Sequence, residues 1–199
     1  MRKLLLASTN KGKLRELQAL LADEDWQILS LADYPDYIAP EETGDSFAEN
    51  ALLKARAAAA YTGLITLADD SGLTVDFLGG APGIYSARYA GEGCSSADCN
   101  SKLLKELKGT PRELRKAAFI CVIAVVLPGG GQQVFCGRLQ GLIAEDYAGE
   151  GGFGYDPLFY LSHYDKTVAQ LSAEQKNKIS HRARALAAAK EYLRGIEEI

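Results

Sequence analysis

A chain of 199 residues that is 47% hydrophobic and 24% charged has the makeup of a globular protein long enough to bury a substantial core. Its formal net charge of −4 disfavours a nucleic-acid binder, which needs a basic face. No apolar run approaches the about eighteen residues of a membrane span, and the one after Met1-Arg2-Lys3 is too short for a secretory leader. The expectation is a cytoplasmic protein with neither a membrane nor a nucleic-acid partner.

In chain order, 2–7 reads as a short buried strand, and Leu14, Leu17, Leu20 and Leu21 give 13–22 a helical apolar spacing. Ser46-Phe47-Ala48-Glu49 predicts a capping box opening an alanine-rich helix that runs to about Tyr61 and stops at Gly63. A strand over 64–68 follows, with Asp69-Asp70 expected at its end. Gly79 to Gly83 marks a tight turn, and 95–107 reads as a helix broken by Gly109-Thr110-Pro111. Two apolar runs, 119–127 and 133–143, flank Pro128-Gly129-Gly130-Gly131 as a β-hairpin. A glycine-rich loop at 149–154, a strand-like 157–161 and a single helix from about Ser172 to Leu193 complete the chain. Alternating strands and helices with one strong hairpin predict an α/β fold with a mixed sheet.

The cysteines at 94, 99, 121 and 136 match no zinc spacing. Buried free thiols are the plain expectation, and a redox pair or metal site is the functional alternative.

Four segments carry chemistry. Ser8-Thr9-Asn10-Lys11-Gly12-Lys13 lies between the first strand and its helix, where turn amides and the positive end of the helix dipole face an anion. It lacks the glycine pattern of a Walker loop. Asp69-Asp70-Ser71-Gly72, with Glu41-Glu42 in a loop, offers oxygen ligands for Mg²⁺, and Lys54 can point from its helix to the same place. Adjacent strand residues point to opposite faces, so only one of the two aspartates faces such a site. Phe153-Gly154-Tyr155-Asp156 offers an aromatic face beside close backbone, and Ser180-His181-Arg182 offers donors for a base.

In this order the segments resemble the inosine triphosphate pyrophosphatase family, the Ham1- or RdgB-like dITP/XTP pyrophosphatases, in its bacterial branch. The resemblance also rests on Glu41-Glu42-Thr43-Gly44, Glu49-Asn50-Ala51 with Lys54-Ala55, and 79–88, and it runs nearly end to end. It implies one ITPase-like domain over 1–199, with an elongated mixed sheet flanked by helices and two lobes around an active-site cleft. It implies Asp70 as the catalytic acid-base residue and a metal ligand, with Glu41 as second ligand and Mg²⁺ as cofactor. By the same resemblance Ser8, Thr9, Asn10, Lys11, Gly12, Lys13 and Lys54 hold the triphosphate and Ser71 contacts substrate. Phe153, Gly154, Tyr155, Asp156 and Lys176 line the nucleoside, and His181 and Arg182 read the purine. Thr9 stands where the family commonly has Gly, so contacts are expected from the amides of Asn10 and Lys13 more than from residue 9. The implied activity is hydrolysis of ITP, dITP and XTP to monophosphate and pyrophosphate by a homodimer. A Maf-like pyrophosphatase of other base specificity and a non-catalytic nucleotide sensor are the alternatives.

Overall fold

The computed structural model describes residues 2–196. Met1 and residues 197–199, within the expected 1–199 domain, lie outside the described residues. The strands are β1 (Arg2–Leu6), β2 (Trp26–Ser30), β3 (Ile65–Val75), β4 (Lys116–Val126), β5 (Gln132–Ile143), β6 (Phe159–Leu161) and β7 (Lys166–Thr167). The helices are α1 (Lys11–Leu20), α2 (Phe47–Thr62), α3 (Ser96–Glu106), α4 (Ala173–Ile179) and α5 (His181–Arg194). The strands form one seven-stranded sheet in the order β2-β1-β3-β4-β5-β6-β7. It is mixed, as predicted: β1 runs parallel to β2 and β3, while β6 is antiparallel to β5 and β7. No helix among the described residues is long and apolar enough to cross a membrane.

The chain divides into two compact units. The first comprises Met1–Asp70, Cys121–Gly137 and Arg184–Ile199. Its core sets Leu4, Leu6 and Leu67 with Cys121, Ile123 and Val125 from the sheet against Leu17 of α1 and Ala185, Leu186 and Ala189 of α5. Alternation along β3 puts Asp69 on the same face as Leu67 and turns Asp70 to the other. Helix α2 buries Ala51, Ala55, Ala58 and Ala59, methyl-sized side chains that let a helix lie close to its support. Lys190 of α5 donates to the Leu20 carbonyl at 2.8 Å and pairs with Glu24 at 3.3 Å. Arg194 reaches the same Glu24 at 2.7 Å and holds its carboxyl below the usual range, chiefly by hydrogen bonding.

The second unit comprises Ser71–Ile120 and Arg138–Ala183. Its core gathers Leu73, Val75, Leu103, Leu107, Phe119, Ile143, Leu158 and Phe159. Phe159 is fully buried and stacks on Phe119 with ring centroids 4.2 Å apart. Gly141 makes room for it, since a Cβ there would lie 2.5 Å from the Phe159 ring. We expect Phe159→Ala to cost about 3–5 kcal/mol, read as a lowered midpoint in chemical denaturation, because a rigid layer cannot collapse into the void. An unchanged midpoint would show that Phe159 is not a core anchor.

Several expectations are corrected. Strand β3 continues through Asp69-Asp70-Ser71-Gly72 to Val75, so the paired carboxylates sit mid-strand and not at its end. Helix α1 starts at Lys11, two residues before the predicted start, because the Asn10 side chain caps it by accepting from the N–H groups of Gly12 and Lys13. The box opening α2 is half formed: Ser46 accepts from the Glu49 N–H, but the Glu49 carboxylate takes the N–H of Asp45, outside the cap. Gly63 ends α2 in the left-handed region at φ 68°, as predicted. The single C-terminal helix is two, because Ser180 is extended (ψ 151°) and its hydroxyl caps α5 by accepting from the Ala183 N–H. The thiols are free as expected, yet Cys136 is exposed and Cys94 half-buried, which leaves only Cys99 and Cys121 inside.

Candidate active site

In the first unit, three elements converge on Asp69 and Asp70. Lys13 of α1 meets Asp69 at 2.7 Å, and that carboxylate is buried. Lys54 of α2 lies 3.3 Å from Asp70 and 2.8 Å from Glu42. Asn50, also on α2 and 1% exposed, points its amide at Asp70 (3.5 Å), and its carbonyl oxygen accepts from the Gly44 N–H at 2.8 Å. Gly44 has no room for a side chain: a Cβ there would be 2.7 Å from the Glu49 Cβ and 2.8 Å from Asn50 Oδ1. The two adjacent aspartates thus hold different lysines from different helices, as strand alternation requires.

Burial pushes the Asp70 carboxyl above its usual value and Glu42 adds to this, while Lys54 and Asn50 offset only part. Lys54 feels the opposite balance. Burial pulls it down, but Asp70, Glu42 and Asp69 outweigh that and raise it. A basic carboxylate beside a firmly charged ammonium suits proton abstraction next to an anionic substrate.

The turn before α1 is more occupied than its sequence suggests. Ser8 Oγ accepts from the Asn10 N–H (3.1 Å), and Asn10 Oδ1 accepts from Gly12 (2.8 Å) and Lys13 (3.2 Å). The backbone N–H groups of Thr9 and Lys11 make no hydrogen bond among the described residues. Thr9 and Lys11 are exposed, so the open donors are at residue 9 and Lys11, where Asn10 and Lys13 were expected.

In the second unit, Asp156 organises the glycine-rich loop. Its Oδ2 accepts from the Phe153 N–H at 2.8 Å and pairs with Lys176 of α4 at 2.5 Å. Lys176 Nζ also lies 4.4 Å from the centre of the Phe153 ring, which is 64% exposed. Tyr155 turns the other way, into the core, where its hydroxyl donates to the Ser86 carbonyl at 2.8 Å. Of the four loop residues only Phe153 offers an open aromatic face. Gly154 is held from below by Asn100 of α3, whose amide donates to its carbonyl at 3.0 Å. His181, the first residue of α5, stacks on Phe119 at 5.0 Å, and Arg182 is buried. Neither is the solvent-facing pair that a helical His-Arg usually is.

The structure therefore brings Lys13, Lys54, Asp69 and Asp70 together in one unit and Phe153, Asp156 and Lys176 together in the other. Ser71 follows Asp70 on β3 and is half-buried. Glu41 is exposed, and its neighbour Glu42 is the acid at Lys54. The sequence assigns no site role to Asn100 or Phe119, and Asn50 enters it only as part of a segment that carries the resemblance. Asn50 and Asn100 lie on helices where asparagine is a poor former and are almost fully buried, so an unfavourable residue inside a helix was the available signal.

A model of the Ham1 family matches residues 4–192. The chain belongs to the Ham1 family. It is 53% identical over 199 residues to the dITP/XTP pyrophosphatase of Geobacter sulfurreducens, covering 99% of this chain and all of that one. The structure of a Ham1 protein from Coxiella burnetii superposes with a TM-score of 0.93 at 41% identity, covering 98% of this chain and 100% of the other. The nucleoside-triphosphatase / dITP/XTP pyrophosphatase of Mycobacterium abscessus gives a TM-score of 0.82 at 46% identity, over 94% of this chain and 98% of that one. The Ham1 fold expected from the sequence is thus the fold found, a mixed sheet flanked by helices.

Proposed function

We propose that this chain hydrolyses non-standard purine nucleoside triphosphates, dITP, ITP and XTP, to the monophosphate and pyrophosphate, clearing them from the cytoplasmic nucleotide pool. The observation that carries the reading is Asp70, a half-buried carboxylate held by Lys54 and Asn50, in a chain akin over its whole length to a dITP/XTP pyrophosphatase.

The turn before α1, with α1 and α2, supplies the triphosphate contacts. Lys11, Lys13 and Lys54 carry the charge, and the free amides at Thr9 and Lys11 add donors at the start of α1, with Ser8, Asn10 and Gly12 shaping that turn. Asp70 orients a water and accepts its proton as the new oxygen–phosphorus bond forms at the α-phosphorus. The bond from that phosphorus to the oxygen bridging to the β-phosphate breaks, and pyrophosphate leaves with its charge met by the lysines. Lys54 keeps this half-buried carboxylate oriented without removing its basicity.

Asp70 and Glu42 both reach Lys54, so two carboxylates gather there, and no group of three or more His, Cys, Asp or Glu among the described residues is arranged to hold a metal. That set fits Mg²⁺, which takes one or two carboxylates and completes its shell with water and substrate phosphate. Asp70 and Glu41 would hold it, and it would supply further charge neutralisation on the leaving group.

The glycine-rich loop and the start of α5 supply the nucleoside contacts. Phe153 stacks on the base, Asp156 and Lys176 set the loop, and Ser71 contacts substrate. His181 and Arg182 donate to the 6-oxo group, which ATP replaces with an amino donor. Sites built around one such bond reject the wrong partner by up to about 10⁴-fold. His181→Ala should therefore lower the ITP-over-ATP ratio of kcat/KM by at least about tenfold. An unchanged ratio in that variant removes the donor role from His181. Family resemblance further implies a homodimer, to be checked by light scattering.

The deciding assay is pyrophosphate release with Mg²⁺ from dITP, ITP, XTP, GTP, ATP and dTTP at equal concentration. Release confined to the first three supports the proposal. Preference for dTTP, or a flat profile, would point to a Maf-like or general nucleotidase, and tight dITP binding without release to a sensor.

A further inference from the structure

Cys94 and Cys99 have their sulfur atoms 3.2 Å apart. The cause is local: Ser95 caps α3 with a complete capping box to Asp98, and this places the residue just before the cap over the residue at the fourth helical position. Those are the two positions of a hydrophobic staple, filled in this chain by two thiols. Cys94 is half-buried in an exposed loop that includes Gly91 and Gly93, both at positive φ, and Cys99 is 3% exposed beneath it.

What lies under the pair gives it consequence. Cys99 and Tyr155 belong to the same buried cluster. Asn100, the next residue, donates to the Gly154 carbonyl. Helix α3 therefore holds the loop that carries Phe153 by the Asn100 bond to Gly154, with Cys99 in the cluster that buries Tyr155. Burial pushes the Cys99 thiol up, but hydrogen bonding outweighs it and brings it below its ordinary value, while the contact with Cys99 raises the Cys94 thiol.

We propose that Cys94 and Cys99 form a thiol–disulfide modification site, oxidised by low-molecular-weight disulfides, whose closure loosens the nucleoside-binding loop. Cys94, the accessible thiol, gives up its proton and attacks one sulfur of the disulfide reagent. That sulfur–sulfur bond breaks, and the first reagent thiol leaves with the proton. The Cys99 thiolate then attacks the Cys94 sulfur and expels the second reagent thiol, which takes up a proton. Two protein thiols are oxidised to one disulfide, and one reagent disulfide is reduced to two thiols. Closure draws the sulfurs from 3.2 Å to about 2.05 Å and so shifts Cys99, next to the Asn100 that holds Gly154. The effect on nucleotide binding rests on the function proposed above; formation of the bond does not.

The test uses full-length protein carrying Cys136→Ser, which removes the exposed thiol able to link molecules. It is equilibrated in buffers of reduced and oxidised glutathione, trapped, digested and mapped by mass spectrometry. The expected result is a linked Cys94–Cys99 peptide with the loss of two hydrogen masses, reversed by dithiothreitol and absent in Cys94→Ser. In dITP assays the oxidised protein should show KM raised about fivefold or more with kcat little changed. Cys94→Ser should be insensitive to the same treatment. Failure to form the link at any glutathione ratio overturns the proposal, as does a link that leaves KM unchanged. A link that forms and weakens binding of a non-hydrolysed dITP analogue, in a protein that never releases pyrophosphate, sinks the enzymatic reading and keeps the modification site.

Discussion

Asp70→Asn is expected to lower turnover of dITP by about 10³-fold, within the range that a positioned general base contributes. The substitution keeps the shape and the contact to Asn50, but removes the lone-pair basicity and the charge facing Lys54. Thermal stability should stay close to the parent's, because the half-buried carboxylate's own desolvation cost disappears with its ion pair. kcat should fall far more than KM rises, since the lost interaction acts on the water and not on the bound triphosphate. Single-turnover pyrophosphate release, with a melting curve on the same sample, separates the cases. Near-normal release from a folded variant would falsify the assignment of Asp70 as base.

Gly152→Ala should raise KM for XTP by about tenfold or more while leaving kcat within a small factor, because a 1.4 kcal/mol loss of binding is already tenfold. Gly152 sits at φ 77°, where a side chain is strained. Its added Cβ would also fall 2.1 Å from Asp156 Oδ2. That oxygen is the one that accepts from the Phe153 N–H and pairs with Lys176, so it cannot retreat without releasing both. The aromatic face and the cation beside it are lost together, although neither residue is touched. Steady-state kinetics on XTP read the result, and a parental KM would show that the loop tolerates the displaced carboxylate.

These expectations were unequally visible in the sequence. Helix ends were legible because capping is local: Ser46, Gly63 and Ser95 act within a few residues of themselves. Ser180 followed the same rule, yet the helix-forming residues on both sides masked its break. Strand β2 escaped because Trp26–Ser30 lacks a clean alternation, and β7 has only two residues. Strand β3 was read too short because Asp, Ser and Gly are poor strand formers; pairing with neighbours holds them extended regardless.

By itself the sequence determined the family, the order of the chemical segments and the mixed α/β class, because motif spacing and hydrophobic periodicity are properties of the linear chain. It also determined that Asp69 and Asp70 face opposite ways, since alternation belongs to any strand. Only the tertiary structure decided which lysine each aspartate holds and that Glu42 rather than Glu41 meets Lys54. It alone turned Tyr155 into the core while leaving Phe153 open, and brought Asn50 to Asp70. Ion pairs and hydrogen bonds between residues far apart in sequence depend on which helices pack on which face of the sheet, and burial then sets their strength.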